Sequence, residues 1–122
     1  MYEDGEGVAQ DDAEAVRWYR MAAEQGCADA QTDLGTMYAQ GQGVKQNPVE
    51  ALRWFLKAGE QGCAVAQAKI GGMYSKGEGV TQNDVEAMRW YRKSAEQGDA
   101  DAQALVGAMH VEGHGVKQDI TE

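Results

Sequence analysis

Positive charge is the first shortage. Eleven Lys and Arg stand against 20 Asp and Glu in 122 residues, a net charge of −9. Nucleic-acid binding draws on a basic stripe that displaces counterions, so this balance argues against it, and against an anionic membrane surface for the same reason. A basic protein or peptide stays open as a partner, and the acid also keeps the chain soluble. Long apolar runs are missing too: none approaches the roughly 18 residues that cross a bilayer, and no basic-then-apolar leader opens the chain. Neither absence selects a compartment. Cysteine is limited to Cys27 and Cys63, which share one position in successive copies of a repeat. Stacked helices hold equivalent atoms about 8–10 Å apart, whereas a disulfide needs Cα atoms within about 7 Å. The pair reads as free thiols near the surface in short turns, and the next copy has Asp99 there.

What the chain does have is periodicity. Gly-x-Gly-Val begins at Gly5, Gly41, Gly77 and Gly113, always 36 residues apart. Trp18, Trp54 and Trp90 keep that step, as do Gln25-Gly26, Gln61-Gly62 and Gln97-Gly98. A fixed period without insertion marks a stacked repeat. Residues 1–122 read as one repeat domain, three full periods with partial repeats at both ends and boundaries near 5, 41, 77 and 113. Met1-Tyr2 aligns with Met37-Tyr38, and Asp119 to Glu122 with Asn83 to Glu86, as in a piece of a longer array or a very short one.

Each unit predicts two helices. Ala30, Leu34, Met37 and Tyr38 fall on one face of a helix A over about 28–40, which Gly41 stops. After a loop, Asn47-Pro48 reads as N-cap and first helical position, with Glu50 at capping-box spacing. Helix B, about 48–61, buries Ala51, Trp54, Phe55, Ala58 and Gly59, and Gly62 ends it. The first copy gives Ala15, Trp18, Tyr19, Ala22 and Ala23 on a helix over about 11–25. The third gives Ala87, Trp90, Tyr91, Ser94 and Ala95. The later A helices bury Ala66, Ile70, Met73 and Tyr74, then Ala102, Val106, Met109 and His110. Gly35, Gly71 and Gly107 sit inside helix A, where glycine costs about 1 kcal/mol against alanine. This predicts a neighbouring backbone too close for a Cβ. Arg17, Arg53 and Arg89 are expected to lay their stems over the indoles.

The run Ala30, Leu34, Gly35, Tyr38, Gly41, Gly43, Val44, Ala51, Trp54, Phe55, Ala58, Gln61, Gly62 resembles the Sel-1-like repeat, a 36-residue relative of the tetratricopeptide repeat. The resemblance covers essentially the whole chain, departing at Gly59 and His110. It implies an all-α fold, a right-handed α-solenoid of antiparallel helix pairs with helix A on the concave side. It also implies an adaptor or scaffold without shared catalytic residues. Some members resemble secreted or periplasmic virulence-associated factors of bacteria, and others act in membrane-protein quality control.

By that geometry a partner peptide or protein would meet the A-helix stripe opposite the buried face. That stripe holds Asp29, Thr32 and Thr36, then Val65, Ala68, Gly72 and the flanking Lys69, then Asp101, Ala104, Ala108 and the flanking Leu105. The side chains are small and differ between copies, and the aspartates favour a basic partner. No catalytic residue, metal or cofactor is assigned. His110 and His114 have a spacing that can serve a metal, but His110 replaces a core Tyr, His114 falls in the Gly-x-Gly turn, and no Cys stands at zinc spacing. The Gly-x-Gly-Val turns lack the downstream Gly-Lys-Ser/Thr of a phosphate loop. Ser94 has no base beside it. Two alternatives remain: a weak hydrolase or small-ligand-binding repeat protein, and an array that self-associates through open ends, where Trp18 has lost its partner helix.

Overall fold

The computed structural model describes residues 5–112 and contains six α-helices, with no strand among those residues. They are α1 (Gly5–Glu24), α2 (Ala28–Gln40), α3 (Pro48–Glu60), α4 (Ala64–Lys76), α5 (Asp84–Glu96) and α6 (Ala100–Glu112). α2, α4 and α6 are A helices; α1, α3 and α5 are B helices. Packing runs between helices consecutive in the chain, most extensively α2 on α3 and α4 on α5. The fold is an all-α helical repeat solenoid.

Local chemistry sets the ends. Asn47 and Asn83 cap α3 and α5, each Oδ1 accepting the backbone N–H three residues on, at 3.1 and 3.0 Å. Pro48 occupies the first turn of α3. α2 and α4 stop at Gly41 and Gly77, both left-handed, whose N–H groups return to the Met37 and Met73 carbonyls. Cys27 and Cys63 precede α2 and α4 without capping them. Asp99 does cap α6, accepting from Ala102 N at 3.0 Å. Both thiols are free, Cys27 exposed and Cys63 half-buried.

The core follows the periodic faces. One cluster joins Trp54 to Val16, Ala23, Ala30, Leu34 and Met37. Another gathers Ala51, Leu52, Phe55, Ala58, Ala66, Ile70, Met73 and Trp90. Val16, Leu52 and Met88 are buried on every B helix, a position the periodic reading passes over.

Several expectations are corrected. The first Gly-x-Gly is not a turn: Gly5 and Gly7 lie inside α1. In later copies the loop leans on an earlier B helix. A Cβ on Gly43 would stand 2.5 Å from the Asp12 carbonyl, and one on Gly79 2.8 Å from that of Pro48. Among the described residues the first copy has no earlier B helix to hold a loop open. Gly71 makes room for a ring, and Gly35 for a ring and for a neighbouring backbone, the Ala51 carbonyl lying 3.1 Å from where its Cβ would stand. A Cβ on Gly35 would meet Phe55 Cε1 at 2.7 Å, and one on Gly71 would meet Tyr91 Cδ1 at 2.8 Å. Gly107 has nothing among the described residues within 4 Å of that point. The cations over the indoles are Lys57 and Lys93, 5.7 and 5.3 Å from the Trp54 and Trp90 rings. Arg17, Arg53 and Arg89 instead pair with Glu14, Glu50 and Glu86 one turn earlier. Trp18, assigned to a buried face, is 58% exposed, while Trp54 and Trp90 are 6% and 9%. His110 is exposed, and Arg92, a donor only, gives a hydrogen bond to its Nε2 at 2.9 Å.

Candidate functional site

The A helices border one cleft of ≈ 790 Å³. Thr36 comes from α2, Val65, Ala68, Lys69 and Gly72 from α4, and Asp101 and Leu105 from α6. Its inner surface includes Phe55 and Tyr91, B-helix rings that pass beneath Gly35 and Gly71 because those residues have no Cβ. Gly72 lies beside the Tyr91 hydroxyl, which a Cβ there would meet in ordinary contact at 3.5 Å. Burial pushes the Tyr91 phenol above its ordinary value, so at neutral pH it is a neutral donor and acceptor. Pro48 and the turn through Gly77, Glu78 and Gly79 also line the cleft.

The expected stripe divides. Thr36, Val65, Ala68, Lys69, Gly72, Asp101 and Leu105 line the cleft, and Asp29, Thr32, Ala104 and Ala108 do not. Thr32 is 7% exposed. Its hydroxyl donates to the Ala28 carbonyl at 3.0 Å and lies 3.3 Å from Cys63 Sγ, so it belongs to the seam between α2 and the next turn. Asp29, Ala104 and Ala108 are exposed elsewhere. The charges in the cleft are of both signs: Asp99, Asp101 and Glu78 with Lys69 and Lys76. Phe55, Tyr91, Asp99 and Lys76 escaped the sequence reading. The two rings were assigned wholly to the core, because periodicity shows which face is buried and not whether a ring edge emerges beyond it.

A second set of polar groups runs along the buried seam. Gln31 and Gln67, 4% and 5% exposed, donate to the carbonyls of Ala23 and Gly59 in the preceding B helix. Their own carbonyls accept from Gln61 and Gln97 at 2.8 and 2.7 Å. Each bond from Gln31 or Gln67 to the preceding B helix ties one repeat to the one before it, and the second amide bond ties the two helices within the repeat, a satisfied network of the kind in which buried polar groups are tolerated. Ser94, fully buried, donates to the Ala64 carbonyl at 2.8 Å, a structural bond. Clefts of ≈ 620 and ≈ 410 Å³ repeat between successive B helices. Trp54 Nε1 is buried there without a partner among the described residues, whereas Trp18 Nε1 donates to Glu14 at 3.2 Å. No group of His, Cys, Asp and Glu among the described residues could hold a metal, and no helix there is long and apolar enough to cross a membrane. His114 lies outside the described residues, and with it the His110–His114 pair.

The Sel1 repeat model matches residues 1–27, 28–63, 64–99 and 100–122. Among solved structures, a Sel1 repeat protein from Oxalobacter formigenes is 46% identical with a TM-score of 0.82; the match covers 88% of this chain and 44% of that one. The protein c5321, a protective antigen of uropathogenic Escherichia coli strains displaying an SLR fold, is 45% identical with a TM-score of 0.87, over 94% of this chain and 25% of that one. This chain therefore spans less than half the length of either. Helicobacter pylori cysteine-rich protein B is similar in fold alone, at 23% identity and a TM-score of 0.71, over 74% of this chain and 68% of that one. No curated protein matches the chain in sequence. With the repeat model spanning the sequence and its predicted helix pairs present in the fold, the chain belongs to the Sel1 repeat family.

Proposed function

We propose that the chain is a protein-binding module that receives a peptide or protein segment in the cleft between α2, α4 and α6. The cleft itself carries this reading: ≈ 790 Å³, walled by small side chains and backed by two aromatic rings. Small residues such as Ala68 and Gly72 let a bound chain approach the helix backbone. Tyr91, Lys69 and Asp101 supply polar handles, the usual make-up of a recognition site. The net charge of −9 favours a basic partner. Lys69 and Lys76 beside Asp99 and Asp101 favour one that carries both signs, since complementary charges set register more than affinity. This reading involves no covalent step.

A paired substitution tests it. Ala68→Arg fills the cleft, while Ala104→Arg places the same charge on the exposed part of α6 outside it. Pull-downs from an extract of the source organism should lose their captured proteins with A68R and keep them with A104R. Equal retention by both variants would remove the cleft from the reading.

A further inference from the structure

Most cations among the described residues already have a partner in the fold. Arg17, Arg53 and Arg89 are ion-paired, Arg20 and Arg92 donate to Tyr38 and His110, and Lys57 and Lys93 lie over indoles. Lys45, Lys69 and Lys76 have no partner among the described residues. Of these, Lys69 and Lys76 line the cleft between the A helices. Both stand on α4, which packs between α3 and α5.

Positions 69, 72 and 76 fall on one stripe of α4, three and four residues apart. Gly72 therefore has a lysine one turn to either side. The Tyr91 hydroxyl meets the stripe at the same point, 3.5 Å from where a Cβ on Gly72 would stand. Tyr91 is 8% exposed, its ring held under Gly71. Its hydroxyl makes no hydrogen bond among the described residues. It is not sealed in the core as Trp54 Nε1 is; it opens on the cleft. Burial keeps the phenol protonated, so it is a donor without an acceptor, and polar groups this deeply buried are normally satisfied. The equivalent positions of the preceding repeat hold Asp33, Thr36, Gln40 and Phe55, with no cation and no phenol. Packing of the helix pair does not require the set.

We infer that this stripe holds the carboxylate of an Asp or Glu side chain in the bound segment, accepting from the Tyr91 hydroxyl between Lys69 and Lys76. The inference rests on the cleft being the binding site and names the chemistry that it reads. A carboxylate accepts several donors at once and matches the ammonium groups in charge, which a carbonyl does not. α4 is the middle of the three A helices, and the cleft continues from it to Thr36 on α2 and to Asp101 on α6. The acid therefore belongs to a chain that runs on in both directions and not to a chain end. Asp99 and Asp101 then face a base of the same segment. Glu78 follows Lys76 in the turn, which leaves Lys69 the stronger of the two cations.

Panning a displayed library of random linear peptides against the chain tests this, with Ala68→Arg to sort the binders. Those that A68R loses occupy the cleft, and they should share an Asp or Glu. Changing that residue to Asn or Gln should weaken binding to the unaltered chain roughly tenfold or more, as loss of a charge-assisted bond does. Against a chain carrying Tyr91→Phe and Lys69→Gln the same change should cost little. Both substitutions should leave the melting temperature close to its starting value, because Phe55 fills the same place in the preceding repeat and Lys69 is exposed. Free and amidated C termini should bind alike. Cleft binders with no acid in common would overturn the inference and leave the cleft as the binding site. So would an acid whose loss costs as much against the doubly substituted chain, or binding that needs a free C terminus. A library with no binder that A68R loses would remove the cleft reading, and the inference with it.

Discussion

The interior helices α2–α5 and the outer helices α1 and α6 share one residue pattern and occupy different environments. Trp54 and Trp90 are nearly covered and Trp18 is more than half exposed. Gly35 and Gly71 each lie against a ring, and Gly107 meets nothing among the described residues. Gln31 and Gln67 are buried in a relay that continues in both directions, and Gln103 is exposed at its end. In a stacked repeat, a residue type and its helical face define what could be buried. The neighbouring unit does the burying, which is why stability in such folds divides into unit and interface terms.

Substitutions at equivalent positions should separate these terms. The largest contrast is expected at tryptophan. Trp54→Ala should cost about 3–5 kcal/mol, as aromatic truncation in a core does, and Trp18→Ala less than about 0.5 kcal/mol, as at ordinary surface sites. Urea unfolding of dilute chain checks both, and similar costs would mean that Trp18 is covered in solution. At glycine the sign should reverse. Gly35→Ala presses a methyl into the Phe55 ring and should cost about 1–3 kcal/mol, as overpacking does. Gly107→Ala meets nothing among the described residues within 4 Å and should stabilise by up to about 1 kcal/mol through helix propensity. Thermal melts of the two variants should move in opposite directions. Cys27→Asp copies the cap that Asp99 gives α6 onto α2 and should stabilise by about 1 kcal/mol. Asp99→Ala should lose a similar amount.

The smallest effect concerns Asp33. Burial, and secondarily the Asp29 charge, pushes its carboxyl above the ordinary value. A group that holds its proton more tightly when folded favours the fold below its unfolded pKa, and this contribution fades as pH rises through the folded value. Asp33→Asn should therefore raise the melting temperature slightly at pH 7. The gain should shrink as the solution is acidified below about pH 4, where the aspartate is protonated in both states. An equal gain at pH 3 would show that charge is not its cause.

Much of the fold was legible because it rests on local chemistry. Glycine after the last turn, asparagine before the first, and apolar residues three and four apart describe α2 to α5 almost to the residue. Part of the cleft was legible as well, since Thr36, Val65, Ala68, Lys69, Gly72, Asp101 and Leu105 share one side of the A helices. Thr32 defeats that reading: the stripe is correct as helical geometry, but the turn holding Cys63 closes over it. Lys57 and Lys93 were missed over the indoles because Arg53 and Arg89 lie nearer in sequence and are taken by Glu50 and Glu86. The glutamine relay was visible only as a recurring dipeptide, since a bond between residues 30 apart leaves no local trace.

The sequence by itself determined the repeat, its helix ends and the faces that seek cover. These depend on backbone conformation and side-chain volume within one turn, and each copy restates them. The tertiary structure decided which faces find cover, where Phe55 and Tyr91 emerge beneath the glycines, and that the first Gly-x-Gly is helix rather than loop. Those outcomes depend on contacts with a neighbouring repeat, and two copies with the same pattern differ when only one of them meets that neighbour among the described residues.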